Sequence, residues 1–223
     1  MSQAPWWRRV YGADWRHPEG PTSSLTERMD HPVVHVSGND AAAYCRWAGR
    51  RLPTEAKWEC AARGGLVQAR YPWGDELAPD GRWRCNIWQG TFPTDNSLAD
   101  GYLGTAPVDA FAPNGFGLHN VAGNVWEWCA DWFSAAHGTT AVADPHGPVA
   151  GASKVIRSRS YLCHHSYCNR YRVAARTANT PDQLHRQHGI PMRRHPRNRS
   201  RRAQTPGTKR QPRRRPSPPG EPP

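Results

Sequence analysis

The hydrophobic and polar positions first become regular near residue 31. The segment HPVVHVS (residues 31–37) is a β-branched run and predicts a short strand. NDAAAYCRWAG (residues 39–49) follows with helical spacing, with Asn39 or Asp40 as the N-cap and Gly49 as the terminator. A short strand followed at once by a short helix is therefore expected.

A second short helix is predicted in RLPTEAKWECAARGG (residues 51–65). Thr54 can cap this helix, and Glu55 lies in its first turn, where the helix dipole favours an acid. Gly64 and Gly65 end it. The sequence thus predicts two short helices close together in the chain.

The pattern then breaks into turns. Between residues 71 and 131, Gly, Pro, Asn and Asp recur every few positions, so any strands there should be short. Such a stretch cannot satisfy its backbone through strand ladders alone, and we expect ions, water and tryptophan N–H groups to complete it. Residues 134–153 have the composition of an exposed loop, and KVIRSRSYLC (residues 154–163) is the next predicted strand.

Composition indicates one folded domain and a tail. Of the 223 residues, 37% are hydrophobic and 11 are Trp, which suits a core with little regular secondary structure. The net charge is +12, but residues 183–223 hold twelve Lys and Arg against one acid, so residues 1–182 are close to neutral. We therefore expect a domain over residues 1–182 and a disordered, basic, Pro/Arg-rich tail over 183–223. A nucleic-acid role for the whole protein is disfavoured by this asymmetry.

Location and association follow from the same features. No apolar run approaches the roughly 20 residues of a membrane span. Because the first residues do not resemble a signal peptide, a cytoplasmic location is expected. We also expect a monomer without a membrane partner. Of the six cysteines, only Cys163 and Cys168 form a local pair.

The segment SYLCHHSYCNRYRVAAR (residues 160–176) allows several kinds of chemistry. Cys163, His164, His165 and Cys168 could nominally bind zinc, but adjacent histidines in an extended segment point to opposite faces. An iron–sulfur cluster needs more cysteines. Two sulfurs suffice for Cu(I), whereas a disulfide closing a short loop is the non-catalytic alternative. His164, His165, Arg170 and Arg172 should lower the thiol pKa values and favour metal chemistry.

Several motifs together resemble the formylglycine-generating enzymes over roughly residues 5–182. They are RLPTEAKWECAARGG, PWGDEL, NIWQGTFP, GTAPVDAFAPNGFGLHNVAGNVWEWCADW and SYLCHHSYCNRYRVAARTANTPD. The RLPTEAxWE and GNVWEW motifs are shared by a wider superfamily, and the cysteine pair is the specific part. The resemblance implies an irregular, loop-rich α+β fold related to C-type lectins, with short strands and two short helices.

The resemblance also implies a reaction. The enzymes of this family use Cu(I) and O2 to oxidise a cysteine in a Cys-x-Pro-x-Arg motif of an unfolded or nascent sulfatase to Cα-formylglycine. By this likeness Cys163 and Cys168 bind copper, and the substrate thiol becomes a third sulfur ligand. Ser160, Trp126 and Tyr167 match positions lining the site where O2 and the substrate cysteine meet, and Arg176 matches a position near the substrate groove.

Two calcium sites are implied by the same resemblance. The first would comprise Asn86, Ile87, Asp100 and Tyr102, and the second Asn120, Gly123, Val125 and Glu127. Asn, Asp and Glu side chains and backbone carbonyls are the oxygen donors that Ca²⁺ prefers. The alternative from the residues alone is that Asn120 and Asn124 simply form turns.

The chain departs from the family pattern at three places. The family domain begins upstream of Met1, so an N-terminal portion is expected to be missing. Paired glycines usually precede the Ser-Tyr-x-Cys stretch, whereas Ser158 and Arg159 stand here. Glycine allows positive φ and close backbone approach, so the geometry of the site should differ.

The third departure follows Asp182, where the family continues to a closing strand near GFRCA and this chain reads QLHRQHGIPMRRHP. With one permitted set of codons, dropping a single base restores that ending, so we interpret the tail from Gln183 as a frameshift product. The closing strand of the family carries a buried Phe, and replacing a core Phe with Ala alone costs about 3–5 kcal/mol of stability. A weakly active or inactive polypeptide is therefore expected.

Two other functions use the same scaffold. One is a sulfoxide-forming or iron-dependent relative, which needs a His/Glu iron set that the sequence does not place. The other is a lectin-like binding or structural module. Neither requires both Cys163 and Cys168.

Overall fold

A small sheet and two short helices, joined by long loops, form the folded part of the protein. The structure is a computed structural model that describes residues 6, 9–136, 138 and 140–184 and the backbone of 188–189. In chain order the elements are α1 (Gly38–Trp47), α2 (Glu55–Arg63), a 3₁₀ turn (Pro79–Gly81), β1 (Trp126–Trp132), β2 (Lys154–Arg157), β3 (Thr177–Asn179) and β4 (His188–Gly189). In this described part, no helix is long and apolar enough to cross a membrane.

Helix α1 is present, but its N-cap lies earlier than expected. Ser37 is the cap: its hydroxyl accepts a hydrogen bond from the Asp40 N–H, and the Asp40 carboxylate accepts one from the Ser37 N–H. This reciprocal capping box explains why Asp40 sits inside the first turn and not before it. The assignment of the cap to Asn39 or Asp40 was therefore wrong, whereas Gly49 has the expected positive φ just after the helix.

Helix α2 confirms its predicted ends. The Thr54 hydroxyl accepts a hydrogen bond from the Lys57 N–H, and Gly64 adopts a left-handed conformation with φ 58°. Glycine is favoured there because a Cβ would meet the backbone of Gly115 at 2.8 Å.

The strand predicted over residues 31–37 is wrong. His35 has φ 54°, which interrupts an extended run, and the chain there forms no strand. Val34 and Val36 nevertheless point inward and are buried. The β-branched residues therefore mark buried core positions, but on an irregular segment and not on a strand.

The sheet has the strand order β3-β2-β1-β4. Strands β1 and β2 are antiparallel, with Glu127 opposite Arg157, and β4 pairs parallel to β1. The prediction of a strand over residues 154–163 holds only to Arg157, because Ser158 and Arg159 leave the extended region. Strand β1, which lies in the turn-rich stretch, has seven residues.

The two helices pack on side chains that alternate along the strands. Trp128 and Ile156 pack with Ala41 of α1, whereas Cys129 and Val155 pack with Trp58 and Ala62 of α2. Alternation to opposite sides of a strand is the expected consequence of the β pleat. Trp128 is fully buried and donates its indole N–H to the Val36 carbonyl at 3.1 Å.

A buried ion-pair network joins α2 to both ends of the segment between β2 and β3. Glu55 accepts hydrogen bonds from Arg157 at 2.6 Å and from Arg176 through two atoms at 2.7 Å each. Arg157 is fully buried and also bonds Glu59 and the Val173 carbonyl. Burial raises the pKa of Glu55, but the hydrogen bonds and charges of Arg176 and Arg157 together lower it below its ordinary value. One carboxylate therefore closes the ends of residues 158–175, here named the cysteine loop.

The predicted tail is only partly described. Strand β4 (His188–Gly189) lies within it and pairs with β1 at Trp126 and Glu127. Most of residues 185–223 lie outside the described part of the chain, so the boundary at residue 182 and the frameshift remain predictions.

Replacing Glu55 with Gln should destabilise the protein by about 3–5 kcal/mol, because it leaves buried arginines without their carboxylate. Denaturant unfolding at neutral pH measures the change, and exposed Glu76→Gln should shift stability by less than about 0.5 kcal/mol. Because the folded pKa of Glu55 is below 4.5, its stabilisation is present above that pH and is lost as pH falls below it. Equal effects of the two variants at neutral pH would contradict this role of Glu55.

Candidate active site

The cysteine loop brings the two predicted copper ligands into contact. Cys163 belongs to a buried cluster against which Cys168 packs, the two thiols influence each other's pKa, and neither cysteine forms a disulfide. The turn between them is closed by hydrogen bonds from the Tyr167 and Cys168 N–H groups to the His164 carbonyl. Ser160 lies beside the pair, since the Cys163 N–H donates to the Ser160 carbonyl at 2.9 Å. Two soft donors on one short turn can bind a metal that accepts two sulfur ligands.

The two thiols differ in environment and in acidity. Cys163 is 4% exposed and packs in a core cluster with Tyr171, whereas Cys168 packs at the edge of that cluster. The hydrogen bond from Cys163 lowers the pKa of Cys168 to about 7, and burial opposes the shift. The same hydrogen bond, together with burial, raises the pKa of Cys163. Cys168 is therefore the thiol that ionises first.

The source of this acidity differs in part from the expectation. Backbone hydrogen bonds from Arg170 and His164 and the charge of Arg159 also lower the pKa of Cys168. The largest cause is the hydrogen bond from Cys163, and of the predicted residues His164, His165, Arg170 and Arg172, two contribute, His164 and Arg170, through backbone hydrogen bonds. The charge that lowers the pKa of Cys168 comes from Arg159, which was not in the predicted set.

The histidines do not form a four-ligand site with the cysteines. The His164 ring hydrogen-bonds to the Ser166 hydroxyl at 2.8 Å and lies 3.9 Å from the His165 ring, centroid to centroid. In the described residues, no three His, Cys, Asp or Glu side chains converge as metal ligands. The donors present fit a metal that takes two sulfurs better than they fit tetrahedral zinc.

The departure from paired glycines has a direct structural consequence. Ser158 has φ 72° and Arg159 has φ 99°, so both occupy backbone conformations that glycine adopts at little cost. Such residues are strained by about 1–3 kcal/mol each. This local distortion ends β2 and turns the chain into the cysteine loop.

The Arg159 side chain is buried inside the site. It is fully inaccessible, its guanidinium lies 4.0 Å from the ring centre of Trp126, and its Nε donates to the Arg170 carbonyl at 2.9 Å. Nη1 and Nη2 are buried without a hydrogen-bond partner. Burial lowers the pKa of Arg159 to about 9, although the charges of Cys163 and Cys168 oppose this. Sequence analysis missed this residue as a site component, and its position where glycine was expected was the available signal.

Tyr167 faces an aromatic cluster that the sequence analysis did not predict. Tyr167 is 48% exposed, and its ring stacks on Phe92 with the ring centroids 4.9 Å apart. Trp6 packs edge-on against both rings. Phe92 also stacks on His164 and contacts Trp88. These rings form an apolar wall beside the cysteine loop, and the NIWQGTFP motif was the sequence signal for part of it.

Arg176 is committed to the ion-pair network and to the Ser134 carbonyl, which it contacts at 2.8 Å. It lines a cavity of about 690 Å³ together with Glu55, Cys60 and Phe116. Cys163 and Cys168 are not among the described residues lining this cavity. Arg176 thus holds the end of the cysteine loop, and its place near a substrate groove stays a prediction.

The first predicted calcium set is assembled around Asp100. Its carboxylate accepts hydrogen bonds from the Ile87 N–H and the Tyr102 N–H, each at 3.0 Å. The Gln89 amide bridges the Ile87 carbonyl and the Asp100 carboxylate. The Asn86 side-chain oxygen is buried without a hydrogen-bond partner. Asn86 precedes Ile87, whose N–H binds the Asp100 carboxylate, and its unpaired buried oxygen is a donor of the kind that an oxygen-preferring cation takes.

The second predicted set is only partly assembled. The Asn120 side-chain oxygen is also buried without a partner, while the carbonyls of Asn120 and Gly123 accept hydrogen bonds from the Ser158 hydroxyl at 3.5 and 3.0 Å. The Glu127 carboxylate accepts from the Trp58 indole at 2.6 Å, and burial raises its pKa to about 7. Val125, which lies between Gly123 and Glu127 in the sequence, is also buried. The donors are oxygen atoms that suit Ca²⁺, but the single proton of the Ser158 hydroxyl is already shared with two of them, mainly the Gly123 carbonyl.

The segments that carry the two predicted calcium sets, residues 86–102 and 120–127, are here named the oxygen-rich loops. Backbone hydrogen bonds connect both of them to the cysteine loop. The Trp88 N–H donates to the Cys163 carbonyl, and the Tyr161 N–H donates to the Asn124 carbonyl. The Asn124 N–H in turn donates to the Asn86 carbonyl at 2.8 Å. Main-chain hydrogen bonds therefore hold these loops directly against the segment that carries the thiol pair.

Comparisons with known proteins find relatives over most of this chain. A family profile described as a sulfatase-modifying factor enzyme 1-like domain matches residues 2–195. Proteins named formylglycine-generating enzyme from Thermomonospora curvata and Streptomyces coelicolor are 69% and 67% identical, over 82% and 80% of this chain. These matches cover 61% and 57% of the two relatives, so the chain spans about three fifths of their length.

A mouse protein named inactive C-alpha-formylglycine-generating enzyme 2 is 45% identical over 82% of this chain and 55% of its own length. Among solved structures, Treponema denticola variable protein 1 matches with a TM-score of 0.61 at 24% identity, covering 80% of this chain and 76% of that one. The likeness to that structure concerns the fold alone. The predicted loop-rich α+β fold of this superfamily is confirmed.

Metal-free protein should be alkylated at Cys168 before Cys163. The rate at Cys168 should reach half its maximum near pH 7, because the thiolate is the reactive form and its pKa is lowered to about 7. Iodoacetamide labelling across pH, with peptide mass analysis, measures both sites, and Cys168→Ser is the control that removes the signal. Faster labelling of Cys163 would contradict the assigned asymmetry.

Proposed function

This chain belongs to the family of the sulfatase-modifying factor enzyme 1-like domain, and from that premise we propose that its cysteine loop is the site of a formylglycine-generating oxidase. The observation that carries the proposal is the contact between the Cys163 and Cys168 thiols on one turn, next to Ser160. The proposed substrate is an unfolded or nascent sulfatase with a cysteine in a Cys-x-Pro-x-Arg motif.

We propose Cu(I) as the metal, held by the sulfurs of Cys163 and Cys168. When bound, it supplies the one-electron chemistry that lets O2 oxidise a neighbouring thiol-bearing carbon. The protein provides two soft donors whose spacing is fixed by the turn, so little ordering remains to be done on binding. Burial of Cys163 shields one donor from solvent oxidation, while the partly buried Cys168 leaves access from one side.

The proposed reaction balances with O2 and a thiol reductant. The substrate side chain loses two electrons: its C–S bond breaks, sulfur leaves as hydrogen sulfide, and the carbon gains a C=O bond. Full reduction of O2 to water takes four electrons, so two more come from two reductant thiols that join as a disulfide. One oxygen atom enters the aldehyde and the other leaves as water.

The other site residues support binding and orientation. The aromatic wall of Trp6, Phe92 and Tyr167 offers an apolar surface to an extended peptide beside the loop. Ser160 lies next to the thiol pair through its carbonyl, which accepts from the Cys163 N–H, whereas Trp126 contacts the Arg159 guanidinium. Arg176 and Glu55 hold the end of the loop and do not contact the thiols themselves.

A non-catalytic role is the second candidate, and the strained Ser158 and Arg159 favour it, since both stand at expected glycine positions. A protein of this kind would retain copper without turning over substrate. Product formation separates the two candidates.

Anaerobic titration should show one Cu(I) bound by the wild type, with binding reduced at least about tenfold in Cys163→Ser and Cys168→Ser, because a single sulfur remains. Cys60→Ser, an exposed cysteine outside the loop, is the matched control and should bind as the wild type does. The loaded proteins are then given O2, a thiol reductant and a Cys-x-Pro-x-Arg peptide, and mass spectrometry detects the aldehyde. Copper bound equally by all variants would refute the site, and bound copper without aldehyde would select the second candidate.

We also propose that Ca²⁺ binds the oxygen-rich loops, primarily through the set around Asn86 and Asp100. Calcium at about 100 times its dissociation constant adds about 2.7 kcal/mol. That should raise the melting temperature by about 5 °C or more for a chain of this size. Asp100→Asn should lose most of this increment, whereas exposed Asp80→Asn should keep it. A calcium increment of the same size in Asp100→Asn would contradict the assignment.

A further inference from the structure

Arg159 places a positive charge in the interior next to the thiol pair. Its side chain is fully buried, and in the described part of the chain no carboxylate forms an ion pair with it. Nη1 and Nη2 have no hydrogen-bond partner, while the Trp126 ring covers the guanidinium at 4.0 Å. A buried charge without a compensating anion is costly, so the atoms available to balance it matter.

The sulfurs of Cys163 and Cys168 are those atoms. Both interact electrostatically with Arg159, and each interaction favours the charged guanidinium. Without a metal, the thiol pair compensates this charge only in part. When two thiols release two protons and form two bonds to one Cu(I), the resulting group carries a net charge of −1, and no electron is transferred. A guanidinium beside it would make the buried assembly neutral.

We propose that Arg159 is the built-in counter-charge of the copper-loaded cysteine pair, a positioning residue that strengthens Cu(I) binding in this chain. The inference rests on the proposed function. It concerns a residue that stands where the family resemblance leads one to expect glycine. The Arg159 backbone is strained at φ 99°. In this proposal its side chain offsets that cost by stabilising the metal-bound form.

Three variants separate charge from shape. Arg159→Met removes the charge and keeps much of the length, and Arg159→Lys keeps the charge. Arg172→Met removes a charge from an exposed residue of the same loop and is the matched control. The backbone strain at residue 159 is the same in both of its variants, so differences between them report the charge.

Anaerobic competition with a chromophoric Cu(I) chelator measures affinity. Arg159→Met should bind at least about tenfold more weakly than the wild type, a loss of about 1.4 kcal/mol. Arg159→Lys should bind more tightly than Arg159→Met, and Arg172→Met should stay within about twofold of the wild type, because its charge is in solvent. Equal affinity of Arg159→Met and wild type, no advantage of Lys over Met, or an equal loss in Arg172→Met would each overturn the inference.

Thermal unfolding without and with copper gives a second readout that needs no activity. Removing an uncompensated buried charge should leave the metal-free protein at least as stable, while the increase in melting temperature on adding Cu(I) should be smaller than in the wild type. If Arg159→Met does not fold, Arg159→Gly provides the same loss of charge with a relaxed backbone. An undiminished copper increment in the folded charge-free variant would overturn the proposal.

Cys163→Ser and Cys168→Ser in the same titration keep the two hypotheses distinguishable. Wild-type copper binding that is lost in both cysteine variants but unchanged in Arg159→Met would leave the proposed function standing and reject only the counter-charge. A wild type that binds no Cu(I) would reject both.

Discussion

The geometry of the site depends on one carboxylate. Glu55, in the first turn of α2, bonds Arg157 at the end of β2 and Arg176 just before β3, and so fixes both ends of the cysteine loop. Because the loop contains little regular structure, its shape is set by where it is held and by the core packing of Cys163 and Tyr171. A buried ion pair is rarely a large net source of stability, but its loss leaves charges unpaired, so it strongly specifies one arrangement. Here that arrangement keeps two thiols in contact.

Within the loop, local strain and buried charge meet at Ser158 and Arg159. Both have positive φ, the Ser158 hydroxyl donates to the carbonyls of Asn120 and Gly123, and the Arg159 guanidinium lies against Trp126. Two side chains therefore occupy space that glycines would leave open, one toward the oxygen-rich loop and one toward the thiols. The same two positions thus connect the proposed calcium and copper sites, and they stand where the family resemblance leads one to expect glycines.

How much of this the sequence predicted depends on how local each signal was. Thr54 and Gly64 were predicted because caps act within one turn, and Cys163 and Cys168 because a short spacing limits their separation. Val34 and Val36 were assigned to a strand since β-branching reports burial as well as extension, and only the φ of His35 separates the two. The partnership of Glu55 with Arg157 and Arg176 spans more than a hundred residues, so no local pattern could indicate it. The same holds for the stacking of Phe92 on Tyr167 and for the burial of Arg159.

The central claim is that two sulfurs fixed on one turn form a Cu(I) site. Copper X-ray absorption spectroscopy of the anaerobically loaded full chain measures the donor atoms directly. We expect a low-coordinate Cu(I) with two sulfur donors in the wild type, and loss of that signature in Cys163→Ser. A spectrum dominated by nitrogen or oxygen donors, or one unchanged by the substitution, would contradict it.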